Sequence, residues 1–205
     1  RRSSEYKQAV KSLGQGNVLV GKEVAKLEGM VSALKSSLRY SQLCSNGIGR
    51  EIAFFARDPE SGVLCKIKMD MLCFDEDGFF GVDLKSTADA EESAFSKSIA
   101  NYGYHRQAAF YSDVFEWSTG YPLYRFWFAA IESQRPHGVL CRHICSESSE
   151  IGRSEYRPAL DLYAECLRDD YWPCYADPED DDECAISLPD WKMAQYDNEI
   201  VDEII

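Results

Sequence analysis

Residues 68–87 have the sequence Lys68-Met-Asp-Met-Leu-Cys-Phe-Asp-Glu-Asp-Gly-Phe-Phe-Gly-Val-Asp-Leu-Lys-Ser-Thr87. The central Asp-Glu-Asp-Gly is typical of a hairpin turn, and the apolar stretches on either side of it predict two strands. Asp70 then lies on the first strand, and Asp83 and Lys85 lie on the second. Because side chains alternate along a strand with period two, Asp83 and Lys85 share a face, and the hairpin can bring Asp70 close to them.

Two carboxylates and a lysine at one edge of a sheet suit a hard divalent cation. Close carboxylates repel, and a cation removes that cost. Mg²⁺ binds few protein carboxylates and keeps waters, and Mn²⁺ suits the same oxygen ligands. Such an ion lowers the pKa of a water and offsets phosphate charge, while Lys85 would orient the water or stabilise developing negative charge. The pattern therefore predicts a centre that cuts phosphodiesters.

Spacing alone leaves a second interpretation of this stretch open. An acid-x-Lys tripeptide is expected about once by chance in a chain of this size, since charged residues make up roughly a quarter of average usage. Asp83 and Lys85 would then belong to a surface hairpin with ordinary ion pairs.

A second group of polar residues follows on a predicted helix, Tyr104-His-Arg-Gln-Ala-Ala-Phe-Tyr-Ser-Asp113. Gln107 and Tyr111 are four residues apart, so they share a helix face. There they can hydrogen-bond a backbone phosphate or fix the lysine. The alternative is that Tyr111 is a buried aromatic residue with a satisfied hydroxyl group.

The remaining sequence predicts mixed helices and strands. Apolar residues at steps of three and four predict a helix with one apolar face over residues 21–39: Val24, Leu27, Val31, Leu34 and Leu38. Further strands are predicted at residues 49–56, which include Glu51, and at 123–131 and 139–145. Helices are predicted at 89–99, 103–117 and 156–168. We expect one domain over 1–205, with a helical part (1–45), a catalytic core (46–150) and a C-terminal helix with an acidic tail (151–205).

The charge of the chain is strongly asymmetric. The net charge is -13, and residues 161–205 hold 15 acids against 2 bases, whereas residues 1–50 hold 9 bases against 3 acids. Affinity for a polyanion depends on local basic surface rather than on the sum, so nucleic-acid binding stays open. Asp177–Glu183 is expected to be a solvated acidic loop.

Compartment and cysteine usage give weaker expectations. No run of 18 apolar residues and no signal peptide is present, which predicts a cytoplasmic protein that does not cross a membrane. The chain does not begin with methionine, so we expect a piece of a longer protein. The eight cysteines are expected to be reduced thiols. Five of them could in principle hold an iron–sulfur cluster, although their spacing matches no known ligand pattern: Cys141, Cys145, Cys166, Cys174 and Cys184.

The two constellations together resemble a known family. Asp70 with Val82-Asp-Leu-Lys-Ser-Thr87, followed by Tyr104-His-Arg-Gln-Ala-Ala-Phe-Tyr111, resembles the PD-(D/E)XK nuclease superfamily with its Q-x-x-x-Y helix. The match is to the RecE-type exonuclease (exodeoxyribonuclease VIII) branch of prophages. The flanking Asp58-Pro-Glu-Ser-Gly-Val-Leu-Cys65, Trp172 and Leu188-Pro-Asp-Trp191 are similar too, so the resemblance spans most of residues 45–195. It implies an α/β fold with a restriction-endonuclease-like core, a central mixed β-sheet flanked by helices.

The resemblance also implies an activity: a Mg²⁺-dependent exonuclease that degrades linear double-stranded DNA from 5′ to 3′ in phage or prophage recombination. Its partners would be a single-strand-annealing protein and further copies of the chain in a ring. The residues carried over are Asp70 and Asp83 as metal ligands, the Leu84 carbonyl as a third ligand, Lys85 as the catalytic lysine, Gln107 and Tyr111 as the helix motif, and Glu51 as a residue that holds a water of the metal.

Two departures from the family pattern stand out. Met69 replaces the proline of the superfamily name, which leaves the chemistry of Asp70 unchanged. The family also has a metal-binding histidine in its N-terminal helical region, whereas His105, His137 and His143 all follow Asp70. The alternatives to an exonuclease are an endonuclease or RecB-like nuclease module on the same core, and a non-catalytic DNA-binding relative.

Overall fold

The computed structural model describes residues 3–14, 18–173 and 187–194. The strands are β1 (Gly47–Arg57), β2 (Leu64–Asp75), β3 (Gly78–Thr87), β4 (Leu123–Glu132) and β5 (Val139–His143). The helices are α1 (Ser4–Leu13), α2 (Gly21–Ser36), α3 (Leu38–Ser45), α4 (Glu92–Tyr102), α5 (Tyr104–Thr119) and α6 (Ser146–Asp169). The chain divides into two compact units, Arg1–Glu165 and Cys166–Ile205, and all five strands belong to the first. The predicted single domain over 1–205 stays a prediction.

The five strands form one sheet in the order β1-β2-β3-β4-β5. Neighbouring strands are antiparallel except for β3 and β4, which are parallel and joined through α4 and α5. The hairpin closes at Asp75 and Gly78, as predicted. The predicted mixed sheet flanked by helices is therefore confirmed, with β3 at its centre.

Two apolar clusters cover opposite sides of β2. Ile67 and Met69 pack with Val114 and Phe115 of α5, whereas Met71 packs in another cluster that includes Leu43 of α3. Residues 69 and 71 of a regular strand would point to the same face. The alternation of β2 is therefore interrupted at Asp70–Met71, which is the point where the predicted site begins.

The prediction for the last helix of the first unit is wrong at its start. The helix begins at Ser146 rather than at residue 156. Its extra turns contact α5 closely, since a methyl group on Gly152 would lie 2.3 Å from the carbonyl oxygen of His105. Gly152 marks a close approach between helices rather than a helix end.

The predicted helix over residues 21–39 is also corrected. It ends at Ser36, and α3 begins at Leu38. Of the predicted apolar face only Leu34 is buried, whereas Leu27 and Leu38 are 49% and 75% exposed. Helical periodicity identified the helix, but it did not identify what the apolar face packs against.

Some expectations concern segments outside the described ranges. Cys174, Cys184 and the acidic loop Asp177–Glu183 all lie there. Among the described residues, no helix combines the length and apolar character that a membrane span requires.

Candidate active site

The site begins where β2 and β3 separate. Their pairing ends at Met71 opposite Val82, and beyond that point Asp70 reaches across to β3. Asp70 Oδ2 accepts a hydrogen bond from the Leu84 N–H at 2.8 Å. The hairpin thus brings Asp70 to the strand that carries Asp83 and Lys85, as the sequence predicted.

Asp83 is buried beside a lysine. Lys85 Nζ lies 2.7 Å from Asp83 Oδ2, and the two groups form an ion pair. Burial raises the pKa of Asp83, which the ion pair with Lys85 opposes and the charge of Asp70 reinforces. The influence of Asp70 shows that the two carboxylates lie in one electrostatic neighbourhood.

Lys85 is held from several directions. Its ammonium group donates a hydrogen bond to Gln107 Oε1 at 2.8 Å and lies 4.3 Å from the centre of the Tyr104 ring. Its side chain is only 18% exposed. A lysine fixed by a carboxylate, an amide and an aromatic face has little freedom to move, which is the property required of a catalytic group that must be positioned in advance.

The two residues of the predicted helix motif have different surroundings. Gln107 donates from Nε2 to Asp83 Oδ1 at 2.6 Å and so contacts both Asp83 and Lys85. Tyr111, one turn later, packs edge-on against Phe126 of β4 with ring centres 6.0 Å apart. Gln107 therefore belongs to the site, while Tyr111 packs between α5 and the sheet.

Glu51 lies on β1 level with Asp70, since its neighbours Arg50 and Ile52 pair with Met71 and Met69. It adopts a φ of 53°, a left-handed conformation that costs a non-glycine residue about 1–3 kcal/mol. Its exposed carboxylate forms an ion pair with Lys68. Strain of this kind is common at functional sites, which fits the role that the family resemblance implied.

A cavity of about 250 Å³ opens beside these residues. Glu51, Asp70 and Leu84 line it together with Tyr40 of α3 and Arg50 of β1. Tyr40 and Arg50 were not predicted from the sequence. A lone tyrosine and a lone arginine outside the motif give no local signal, because only the tertiary fold brings α3 to this edge of the sheet.

Two carboxylates of this site, those of Asp70 and Asp83, could hold a divalent metal ion. Over the described ranges, no three His, Cys, Asp or Glu residues cluster as a metal-binding group. Asp70 and Asp83 supply two carboxylates, and Oδ2 of Asp83 is paired with Lys85 Nζ at 2.7 Å. Mg²⁺ commonly needs only one or two protein carboxylates because it retains water.

The histidines are engaged elsewhere. His105 contacts Glu155, and His137 contacts the Glu132 carbonyl oxygen, while His143 contacts the carbonyl oxygen of Ile144. The described cysteines are free thiols, and no three-residue metal cluster includes them in this part of the chain. The iron–sulfur alternative therefore gains no support from the described residues.

Comparison with known proteins places this geometry in a wider context. The model of a PDDEXK-like domain of unknown function (DUF3799) matches residues 2–183. The crystal structure of a candidate exonuclease from Eubacterium rectale is similar with a TM-score of 0.62 at 15% identity, over 94% of this chain and 75% of that one. SSO0001 has 15% identity over 80% of this chain and 68% of its own, with a TM-score of 0.38, which is too low to establish a common fold. No curated protein matches the sequence.

Proposed function

The chain belongs to the family of PDDEXK-like domains of unknown function, and on that premise we propose that it is a metal-dependent nuclease acting on DNA. The observation that carries the proposal is a group of three side chains in which Gln107 hydrogen-bonds both Asp83 and Lys85. Asp70 accepts a hydrogen bond from the N–H of Leu84, which lies between them on β3. A surface hairpin with ordinary ion pairs does not require a buried aspartate, and Asp83 is only 5% exposed.

Asp70 and Asp83 would hold the ion, which we propose is Mg²⁺, with Mn²⁺ as an alternative. The Leu84 carbonyl is the proposed third ligand. The N–H and C=O of one strand residue point toward the same neighbouring strand, and the Leu84 N–H is bonded to Asp70 on β2. When bound, the ion would supply charge neutralisation at the phosphate and a water that ionises readily.

The other side chains would act without touching the ion. Lys85 would stabilise negative charge that develops on the phosphate or orient the attacking water. Gln107 would hold the side chains of Lys85 and Asp83 in position through its two hydrogen bonds. Glu51 would accept a hydrogen bond from a water at the open edge of the cavity. Tyr111 would position α5 through its packing on β4.

Exonuclease action on linear double-stranded DNA, from 5′ to 3′, is the more specific proposal. It rests on the RecE-type resemblance along most of residues 45–195, and the fold neighbour from Eubacterium rectale is itself described as a candidate exonuclease. A ring of several copies, a single-strand-annealing partner and a role in phage recombination are parts of the same proposal.

The test compares linear with covalently closed circular double-stranded DNA in Mg²⁺, in Mn²⁺ and in EDTA. We expect metal-dependent loss of the linear DNA alone, abolished by Asp83→Ala and retained by Asp77→Ala, which removes an exposed carboxylate from the hairpin turn. Cutting of the circle would indicate an endonuclease. DNA binding without cleavage, unaffected by Asp83→Ala, would contradict a catalytic role.

A further inference from the structure

One face of the β1–β2 hairpin is exposed in the part of the chain that the structure describes, and it is rich in cations. The residues of this exposed hairpin face are Phe55, Arg57, Leu64, Lys66 and Lys68. All five are exposed, including Phe55 at 57% and Leu64 at 60%. The opposite face of the same strands packs on α5 through Cys65, Ile67 and Met69. The cations and the exposed apolar groups are therefore segregated on one side of the two strands.

We infer that this exposed hairpin face binds a single-stranded segment of the substrate DNA and leads it to the site at Asp70. The inference rests on the proposed nuclease function and adds to it the surface and the form of nucleic acid that is bound. The charge and the aromatic chemistry of the face identify the occupant.

The charge of the surface suits a polyanion. Residues 53–57 and 64–68 contain Arg57, Lys66 and Lys68 and no acidic residue, although the whole chain has a net charge of -13. Phe55 pairs across the strands with Lys66, and Ala53 pairs with Lys68. The acid nearest to this surface along β1 is Glu51, which forms an ion pair with Lys68 at the end adjoining Asp70. Phosphates bound along these strand segments would thus meet cations between the turn that carries Glu60 and the proposed metal site.

The aromatic chemistry favours an unpaired strand over a duplex. Lys66 Nζ lies 6.0 Å from the centre of the Phe55 ring, and the ring remains more than half exposed. A flat exposed ring flanked by cations is the arrangement on which bases of single strands stack, and each stacked base contributes about 1–3 kcal/mol. In a duplex the base faces are covered by their neighbours, so the ring would have nothing to stack on.

The exposed hairpin face runs along β2 toward Asp70 of the proposed metal site. Lys66, Lys68 and Asp70 alternate with the buried residues of β2, so the cations lie on the strand that carries Asp70. At about 3.4 Å per residue, Lys66 lies roughly 14 Å from Asp70 along the strand. A strand held by Phe55 and Lys66 would therefore present a phosphodiester a few nucleotides away to the metal site.

The test measures binding of labelled oligothymidine and of a labelled blunt duplex by fluorescence anisotropy in EDTA, where no cleavage occurs. We expect Phe55→Ala to weaken oligothymidine binding about tenfold through lost stacking. We expect Lys66→Gln to weaken it as well and to reduce the slope of log affinity against log salt by about 0.7. Duplex binding should change less in Phe55→Ala than single-strand binding does.

Two matched variants control for general effects. Tyr121→Ala removes an aromatic residue of similar exposure (60%) outside the hairpin, and Lys26→Gln removes a positive charge from α2. Both should bind oligothymidine as the wild type does. Thermal unfolding of each variant checks that the fold is intact.

Several results would overturn the inference. One is unchanged oligothymidine binding in Phe55→Ala and Lys66→Gln while the wild type cleaves DNA, which would leave the proposed function standing. Another is equal loss of duplex and single-strand binding in Phe55→Ala. A third is a homodimer, seen by analytical ultracentrifugation, that Phe55→Ala dissociates, because a second copy would then cover this face. If the wild type binds as expected but cleaves nothing, the proposed function alone fails.

Discussion

Gln107 Nε2 donates a hydrogen bond to Asp83 Oδ1 at 2.6 Å. The carbonyl oxygen of the same amide accepts one from Lys85 Nζ at 2.8 Å. An ionised carboxylate can only accept and an ammonium group can only donate, so the two partners determine which way the amide faces. Gln107 on α5 therefore fixes the Asp83 carboxylate and the Lys85 ammonium group relative to each other.

Replacement of Gln107 by alanine should slow cleavage while leaving substrate affinity almost unchanged. We expect a loss of about 10–100-fold in kcat, the usual cost of removing a group that orients metal ligands. Steady-state cleavage of linear DNA measures it. Gln134→Ala, which removes an exposed glutamine from the β4–β5 loop, should have wild-type kcat. A Gln107→Ala variant with wild-type kcat would contradict the positioning role.

Glu51→Gly should stabilise the fold and impair cleavage. Glycine adopts the φ of 53° without the strain of a side chain, and the exposed ion pair with Lys68 contributes little. We expect the free energy of unfolding to rise by about 1 kcal/mol, measured in urea. Glu51→Gln keeps the strain, so it should lower activity without raising stability. Equal stability of the two variants would show that the backbone conformation carries no cost.

Asp58→Asn should destabilise the first unit strongly. Arg157 donates to both oxygens of Asp58, at 2.8 and 2.6 Å, and the aspartate side chain is fully buried. Breaking a buried pair costs about 3–5 kcal/mol because one charge is left without its partner. The matched control is Asp161→Asn, which removes a half-exposed carboxylate 3.4 Å from the same arginine and should cost less than about 1 kcal/mol. Urea unfolding distinguishes the two.

The same pair predicts a dependence of stability on pH. Hydrogen bonds from Arg157 and Ser61 hold the pKa of Asp58 well below its usual value, against the opposing effect of burial. A lowered folded-state pKa stabilises the fold fully above the unfolded-state pKa of about 3.9 and loses that contribution as the pH falls below it. Below pH 4 the unfolding free energy of the wild type should fall more steeply than that of Asp58→Asn, by up to about 1.4 kcal/mol per pH unit. Parallel profiles would contradict the assignment.

Gly152→Ala should destabilise the packing of α6 on α5. The added methyl group would lie 2.3 Å from the His105 carbonyl oxygen, so one helix must move, and overpacking of this kind costs about 1–3 kcal/mol. Gly21→Ala is the control, since its methyl group would meet no atom within 4 Å and alanine favours the helix. A lower thermal midpoint for Gly152→Ala alone would confirm the prediction.

The sequence was most informative where local pattern and tertiary role coincide. The Asp-Glu-Asp-Gly turn and the apolar stretches on either side of it predicted the hairpin that carries Asp70 and Asp83. Local sequence pattern did not predict features that depend on packing between separate elements. The early start of α6 was missed because Gly152 packs against a neighbouring helix. Leu27 was placed on an apolar helix face, and periodicity does not show what lies opposite such a face.

The site could be predicted only in part, for a similar physical reason. Asp83 and Lys85 lie on one strand, and Gln107 lies on an adjacent helix at motif spacing, so a pattern could join them. Tyr40 and Arg50 reach the cavity beside Asp70 from α3 and β1, and no spacing in the chain connects them with Asp70. The interrupted alternation of β2 also has no sequence signal, since Met69 and Met71 are the same residue type on opposite faces.

The spatial order of the strands repeats their order along the chain, and this has a consequence for synthesis. Each strand can pair with its predecessor as soon as it leaves the ribosome, and Asp70, Asp83 and Lys85 are all present once residue 87 has emerged. Gln107 arrives later. If the proposed metal site exists, both of its carboxylates are therefore available on the nascent hairpin before α5, and a bound ion would cross-link β2 and β3 while the remainder of the chain is translated.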